Sequence, residues 1–284
     1  MKKILTCTDG SIYAQSVYDH SAWASKQTGA SVHVLHMLNP HRERAEFSSF
    51  TGNLGPNAGE DLLLEMVELE ETKNRLAREE GKLILKGAKE YLKSVGVDAP
   101  TAEQQHGALV ETVTEIERDY DLVVIGKRGK AADFAKGHLG SNLERVIRGT
   151  KKPVLVTARQ FEPIERCLIA YDGGPSVEKA ISFLQQEPLL KGVKLFLVRA
   201  GTIDSKAEWY LGEAADKLRA AGYEVESETV PGSPEKAIAE TVERHQINLL
   251  IMGAYGHSRI RQLFVGSTTT TMVRTCKIPV IMFT

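Results

Sequence analysis

The chain has 284 residues, 42% of them hydrophobic and 26% charged, and 36 basic against 37 acidic side chains leave a net charge of −1. At ~150 residues per domain this length predicts two domains, the composition excludes disorder for the bulk of the chain, and the balanced charge excludes a global field that would draw in nucleic acid or an anionic membrane. No apolar run reaches the ~18 residues of a membrane span, MKKILTCTDG lacks the ~7–15-residue apolar stretch of a signal peptide, and the scattered Cys7, Cys167 and Cys276 fit reduced thiols, so a cytoplasmic protein is expected.

In chain order, the first half predicts strands at about 3–8, 31–38, 97–105, 121–126 and 153–157. Runs such as ILTC, VVIG and VLVT are apolar throughout, which is how strands buried on both faces of a parallel sheet read. Helical patterns lie between them at 11–28, 60–95, 107–119 and 141–149. In the long one Leu62, Met66, Leu69, Leu76, Leu83, Ala88 and Leu92 keep approximate three/four spacing, and the acids from Glu65 to Glu71 read as a solvated face. The second half repeats the order, with strands near 166–171, 193–199, 224–230, 247–252 and 279–283 and helices near 175–186, 206–221, 234–245 and 267–275.

The two halves match landmark for landmark. Asp-Gly ends the first apolar run of each (Asp9, Asp172), and Gly-x-x-Gly ends the fourth (Gly126 and Gly129; Gly253 and Gly256). Gly-Ser follows (Gly140-Ser141; Gly266-Ser267), then a proline entering the last run (Pro153, Pro279). Asp9 to Asp172 is 163 positions, Gly126 to Gly253 is 127, and Pro153 to Pro279 is 126. The first half therefore carries 36 extra residues, visible as the segment from Pro40 to Arg75. The expected domains are 1–160, with an inserted loop and long helix at 40–95, and 161–284. Strand-helix alternation predicts an α/β fold of two tandem five-stranded parallel open sheets with helices on both faces, Rossmann-like, with ligands at the carboxyl ends of the strands where strand order reverses.

The residues at those ends carry the candidate chemistry. Gly253, Gly256, Gly266, Ser267 and Thr268 permit close backbone approach and open a helix whose N–H groups attract phosphate. Equally, such glycines turn a chain and such hydroxyls cap a helix. Gly126, Gly129, Gly140 and Ser141 repeat the pattern in a loop that adds Lys127, Arg128, Lys130 and Lys136. Asp9 and Asp172 either face the crevice as acceptors for an adenine amino group, a ribose or a metal ion, or simply close Asp-Gly turns. Walker, dinucleotide, nucleophile-elbow and zinc-protease motifs are absent, and no catalytic residue is assigned. His33 and His36 are odd-spaced on one strand, which argues against a shared metal. His138 and His257 read as polar loop residues.

An Asp after strand one, with G-x-x-G, nine residues and G-[ST] after strand four, resembles the universal stress protein family, and this chain resembles a tandem member. The resemblance covers essentially the whole chain. The second half keeps the nine-residue spacing, whereas the first has ten residues between Gly129 and Gly140. It implies an adenine nucleotide, usually ATP, with AMP or ADP as variants, often with a divalent cation such as Mg2+, little turnover, and a role in stress response. It places Asp9 and Asp172 at the adenine end with the backbone of Met37 and Ala200, Gly126 and Gly253 against the ribose, and the phosphates on Gly129, Gly140, Ser141 and Asn142 in half one and on Gly256, Gly266, Ser267 and Thr268 in half two. It also implies that the last strands of the two halves pair within the chain, with a homodimer of whole chains as a further step. The readings that compete with a nucleotide-binding regulator are a slow metal-dependent ATPase or nucleotide hydrolase and a chaperone-like protein binding another ligand. Half two is expected to bind more tightly.

Overall fold

The structure, a computed structural model, describes residues 1–38, 58–127, 141–254 and 276–284, with the backbone alone for 58–63 and 141. The expected helix at 267–275 lies outside these residues. Ten strands follow in chain order: β1 Lys3–Thr8, β2 Ser31–Leu38, β3 Thr101–His106, β4 Leu122–Gly126, β5 Val154–Thr157, β6 Arg166–Ala170, β7 Lys194–Ala200, β8 Val225–Val230, β9 Leu249–Gly253 and β10 Val280–Phe283. The α-helices among the described residues are α1 Ala14–Thr28, α2 Ala58–Ser94, α3 Leu109–Ile116, α4 Ser141–Gly149, α5 Pro175–Gln186, α6 Ser205–Ala220 and α7 Pro234–His245.

The strands form one sheet in the order β3-β2-β1-β4-β5-β10-β9-β6-β7-β8. Each half is a parallel five-stranded unit, and the expected two sheets are fused edge to edge. The join is antiparallel, with Val280 opposite Val156, Ile281 opposite Leu155 and Met282 opposite Val154. The reason is visible in the strands: VLVT and VIMF are buried at every position, so neither tolerates an open edge. The expected pairing of last strands within the chain is therefore observed. Pro153 and Pro279 serve the same end in both halves. Lacking an N–H, each contributes only its carbonyl, accepting from Val123 and from Leu250 at 3.0 Å.

Alternate side chains of each strand feed two cores. Ile4, Val32, Val34, Ile169 and Leu195 pack on one face with α1, α2, α5 and α6. Leu5, Cys7, Leu35, Leu168 and Phe196 pack on the other with α3, α4 and α7. The odd spacing of His33 and His36 has the expected effect: His36 is buried with its Nδ1 2.9 Å from the Thr8 carbonyl, while His33 lies by Tyr120 on the opposite face.

Boundaries moved where a turn intervened. Gly96 and Ala99 adopt positive φ, so β3 begins at Thr101 rather than 97. Ser11 accepts from the Ala14 amide in a turn, so α1 begins at Ala14 rather than 11. Buried Leu85, Ala88 and Leu92 of α2 each stand 126 residues before buried Leu211, Ala214 and Leu218 of α6. The last part of α2 thus repeats α6, and the turns from Ala58 to Arg78 are the addition.

Candidate functional site

Strand order reverses between β1 and β4 in half one and between β6 and β9 in half two. The register sets what gathers there. Thr8 pairs with His36 and Cys7 with Ile125, so Asp9 stands level with Met37 and one position beyond Gly126. Ala170 pairs with Val198 and with Met252, so Asp172 stands level with Ala200 and one position beyond Gly253. Each trio (Asp9, Met37, Gly126; Asp172, Ala200, Gly253) therefore stands together at the carboxyl ends of the strands beside the order reversal.

Both aspartates close the Asp-Gly turn. Asp9 Oδ1 accepts from the Ser11 amide at 3.0 Å, and Asp172 Oδ1 accepts from the Gly174 amide at 2.8 Å. Gly10 and Gly173 between them hold φ of +67° and +69°, which glycine adopts without strain. The turn fixes one carboxylate oxygen and so orients the group. Behind each turn the strand end is tied to the next helix. The hydroxyls of Thr8 and Tyr18 share a hydrogen bond at 2.8 Å in half one, and Tyr171 donates to Glu178 at 2.7 Å in half two. Burial first, and then its carboxylate partner, pushes the Tyr171 phenol up, so it stays a donor. Neither tie was legible in the sequence, because each depends on which helix crosses the strand end.

The two crevices differ in cover. In half one Ile84 of α2 lies on the turn: a Cβ on Gly10 would stand 2.4 Å from its Cδ1. In the same stretch Gly81 fits α2 over β2 and β3, where a Cβ would meet Gln104 Nε2 at 2.0 Å and His36 Cδ2 at 2.9 Å. In half two a Cβ on Gly173 would meet no described atom within 4 Å, and Asp172 is exposed where Asp9 is half-buried. Tyr210, which stands 126 residues after Ile84, is 45% exposed. Gly253 brings β9 against the first turn of α5, where a Cβ would sit 3.1 Å from Ser176 Cβ and 3.7 Å from the Val177 amide nitrogen. The three/four spacing read from the sequence runs through Leu83, which is exposed, and passes over Ile84; only the helix's placement puts Ile84 on Gly10.

Gly129, Gly140, Gly256, Gly266, Ser267 and Thr268 lie outside the described residues, as do Arg128, Lys130, Lys136, His138 and His257. Ser141 is the first residue of α4, and Asn142 is exposed beside it. The Lys127 ammonium donates to the Cys276 carbonyl, a contact between the halves. Among the described residues no three His, Cys, Asp or Glu side chains converge on a metal site, and no helix is long and apolar enough to cross a membrane.

The family model described as the universal stress protein family matches residues 1–158 and 199–284. A universal stress protein of Synechocystis is 41% identical over 286 residues, covering 100% of both chains. One from Mycobacterium tuberculosis is 26% identical over 232 residues, covering 72% of this chain and 77% of the relative. The crystal structure of a universal stress protein from Archaeoglobus fulgidus superposes with a TM-score of 0.69 at 20% identity, over 99% of this chain and 95% of that one. That likeness concerns the fold.

Proposed function

We propose that this chain, which belongs to the universal stress protein family, binds an adenine nucleotide in its half-two crevice and acts as a nucleotide-dependent regulator in the cytoplasm rather than as a fast catalyst. The observation that carries this reading is the Asp172-Gly173-Gly174 turn at the strand-order reversal, where Asp172 is exposed and a Cβ on Gly173 would meet no described atom within 4 Å. There an oriented carboxylate can accept from an adenine amino group while the Ala200 backbone lies level with it. The Gly253 backbone would lie against a ribose at the end of β9, and Gly256, Gly266, Ser267 and Thr268 would supply amide and hydroxyl donors to the phosphates. In half one the same parts (Asp9, Met37, Gly126, Gly129, Gly140, Ser141, Asn142) form a second, weaker site, with Ile84 already on the turn.

A Mg2+ ion would be held mainly by the nucleotide's phosphates, since no cage of protein carboxylates exists among the described residues. The two halves read as domains 1–160 and 161–284, each offering one crevice. The direct test is to denature freshly purified protein and identify the released ligand by mass spectrometry. An adenine nucleotide is expected; a different ligand, with no nucleotide binding on addition of ATP to the stripped protein, would overturn the reading.

A further inference from the structure

Helix α2 carries an exposed leucine stripe, Leu69 and Leu76 on its added turns and Leu83 just after them, that no described core residue packs against. Buried Gly81, Leu85, Ala88 and Leu92 face the sheet, and Leu83 lies ~200° around the helix from Gly81. Leu69, Leu76 and Leu83 recur every seven residues on that outer side, exposed at 47%, 60% and 70%. A seven-residue step drifts only ~20° on a straight helix, so the three form one continuous seam that a second helix follows by slight left-handed winding. From 64 to 72 no described side chain is buried, so this part of the helix gains little from its own body. Isolated helical turns are marginal without such packing.

Charge selects the occupant. Residues 64–72 carry Glu65, Glu68, Glu70 and Glu71 and no base. Residues 73–89 carry Lys73, Arg75, Arg78, Lys82, Lys86 and Lys89 against Glu79 and Glu80. The sign changes between Thr72 and Lys73, which is also the midpoint between Leu69 and Leu76. A second copy of the same helix, run antiparallel about that point, sets Leu69 against Leu76 twice, acidic half against basic half, and Glu68 beside Arg75. A parallel copy sets like charge on like. An antiparallel self-match closes under a two-fold axis and leaves no open end.

We propose that two copies of this chain dimerise through α2, antiparallel, about an axis at Thr72–Lys73. The test is sedimentation equilibrium of the full chain with three sets of variants. Wild type should be dimeric at micromolar concentration, and Leu76→Glu, which buries a carboxylate in the seam opposite Leu69, should weaken the dimer about a hundredfold with its helical circular dichroism unchanged. Glu68→Arg and Arg75→Glu should each weaken it, and the pair together should restore it, because the two positions are two turns apart within one helix and meet only across the axis. Under mild oxidation Thr72→Cys should cross-link between chains and Leu83→Cys should not. A monomeric wild type, a dimer indifferent to Leu76→Glu, additive losses in the double charge swap, or cross-linking of Leu83→Cys would each overturn the proposal.

Discussion

Protonation of His20 should loosen the whole fold in mild acid. The ring is fully buried in α1, with Nδ1 2.7 Å from the Ser16 carbonyl and the edge of Phe161 against it at 5.0 Å between centroids. Nδ1 therefore carries the proton and donates, while Nε2 is buried without a partner. A second proton would place a charge in a dry pocket. Burial accordingly lowers the pKa from 6.5 to about 4, against a smaller opposing pull from the Ser16 carbonyl. Because the folded value lies below the unfolded one, the unfolded chain takes up the proton first as pH falls. The stability this ring contributes is complete above pH ~6.5, is lost between there and pH ~4, and then levels off. At ~1.4 kcal/mol per pH unit the full loss is about 3 kcal/mol, of which about 2 kcal/mol is gone at pH ~5. Urea unfolding of wild type and His20→Leu from pH ~7.5 to pH ~4 measures it, since every other group titrates in both proteins. The stability difference should shift in favour of the leucine variant across that window. Parallel curves would show that the ring is not dry or not neutral.

Three further outcomes follow from the same packing. Ile84→Ala should cost about 1–2 kcal/mol, less than a fully buried isoleucine, and raise the nucleotide stoichiometry from one toward two; an unchanged stoichiometry would mean that Ile84 does not limit half one. Native thiol titration should modify Cys276 first. It is half-buried, with a thiol raised by burial but eased by the Ile278 backbone and Lys127, whereas burial holds Cys7 at about 12 and pushes Cys167 well above the usual thiol range. Early loss of Cys7 or Cys167 would contradict the core assignment. Ile281→Ala, at the strand joint, should cost about 3 kcal/mol and lower one cooperative transition monitored in both halves; two separated transitions would show that the joint does not couple them.

The central strands were legible because burial on both faces writes itself as unbroken apolar runs, which the polar edge strands β3 and β8 lack, and the helices because α5 and α7 carry proline at N1 and a clean amphipathic pattern. The pairing of VLVT with VIMF was expected only through the family resemblance; in the sequence alone each is merely an apolar run, and their antiparallel register is a property of two distant segments meeting. Residue type and spacing put Asp9, Gly126, Asp172 and Gly253 at strand ends beside the order reversals, whereas Met37 and Ala200 were added only through the family resemblance; the strand register sets all six level there. Sequence left open whether the aspartates close turns, and the structure has both doing so. It could not show that Ile84 lies against Gly10 while no described atom stands within 4 Å of a Cβ on Gly173. That difference arises from where α2 crosses β2 and β3, which Gly81 allows only by having no side chain. The contact of the Lys127 ammonium with the Cys276 carbonyl across the halves was likewise invisible in the sequence, because it joins two distant segments.

Calorimetric titration of ATP into nucleotide-stripped protein tests the central claim most directly when wild type is set beside Asp172→Ala and Asp9→Ala. One tight equivalent should be present in wild type, lost in Asp172→Ala and kept in Asp9→Ala. Equal binding by all three proteins, or a loss confined to Asp9→Ala, would contradict it.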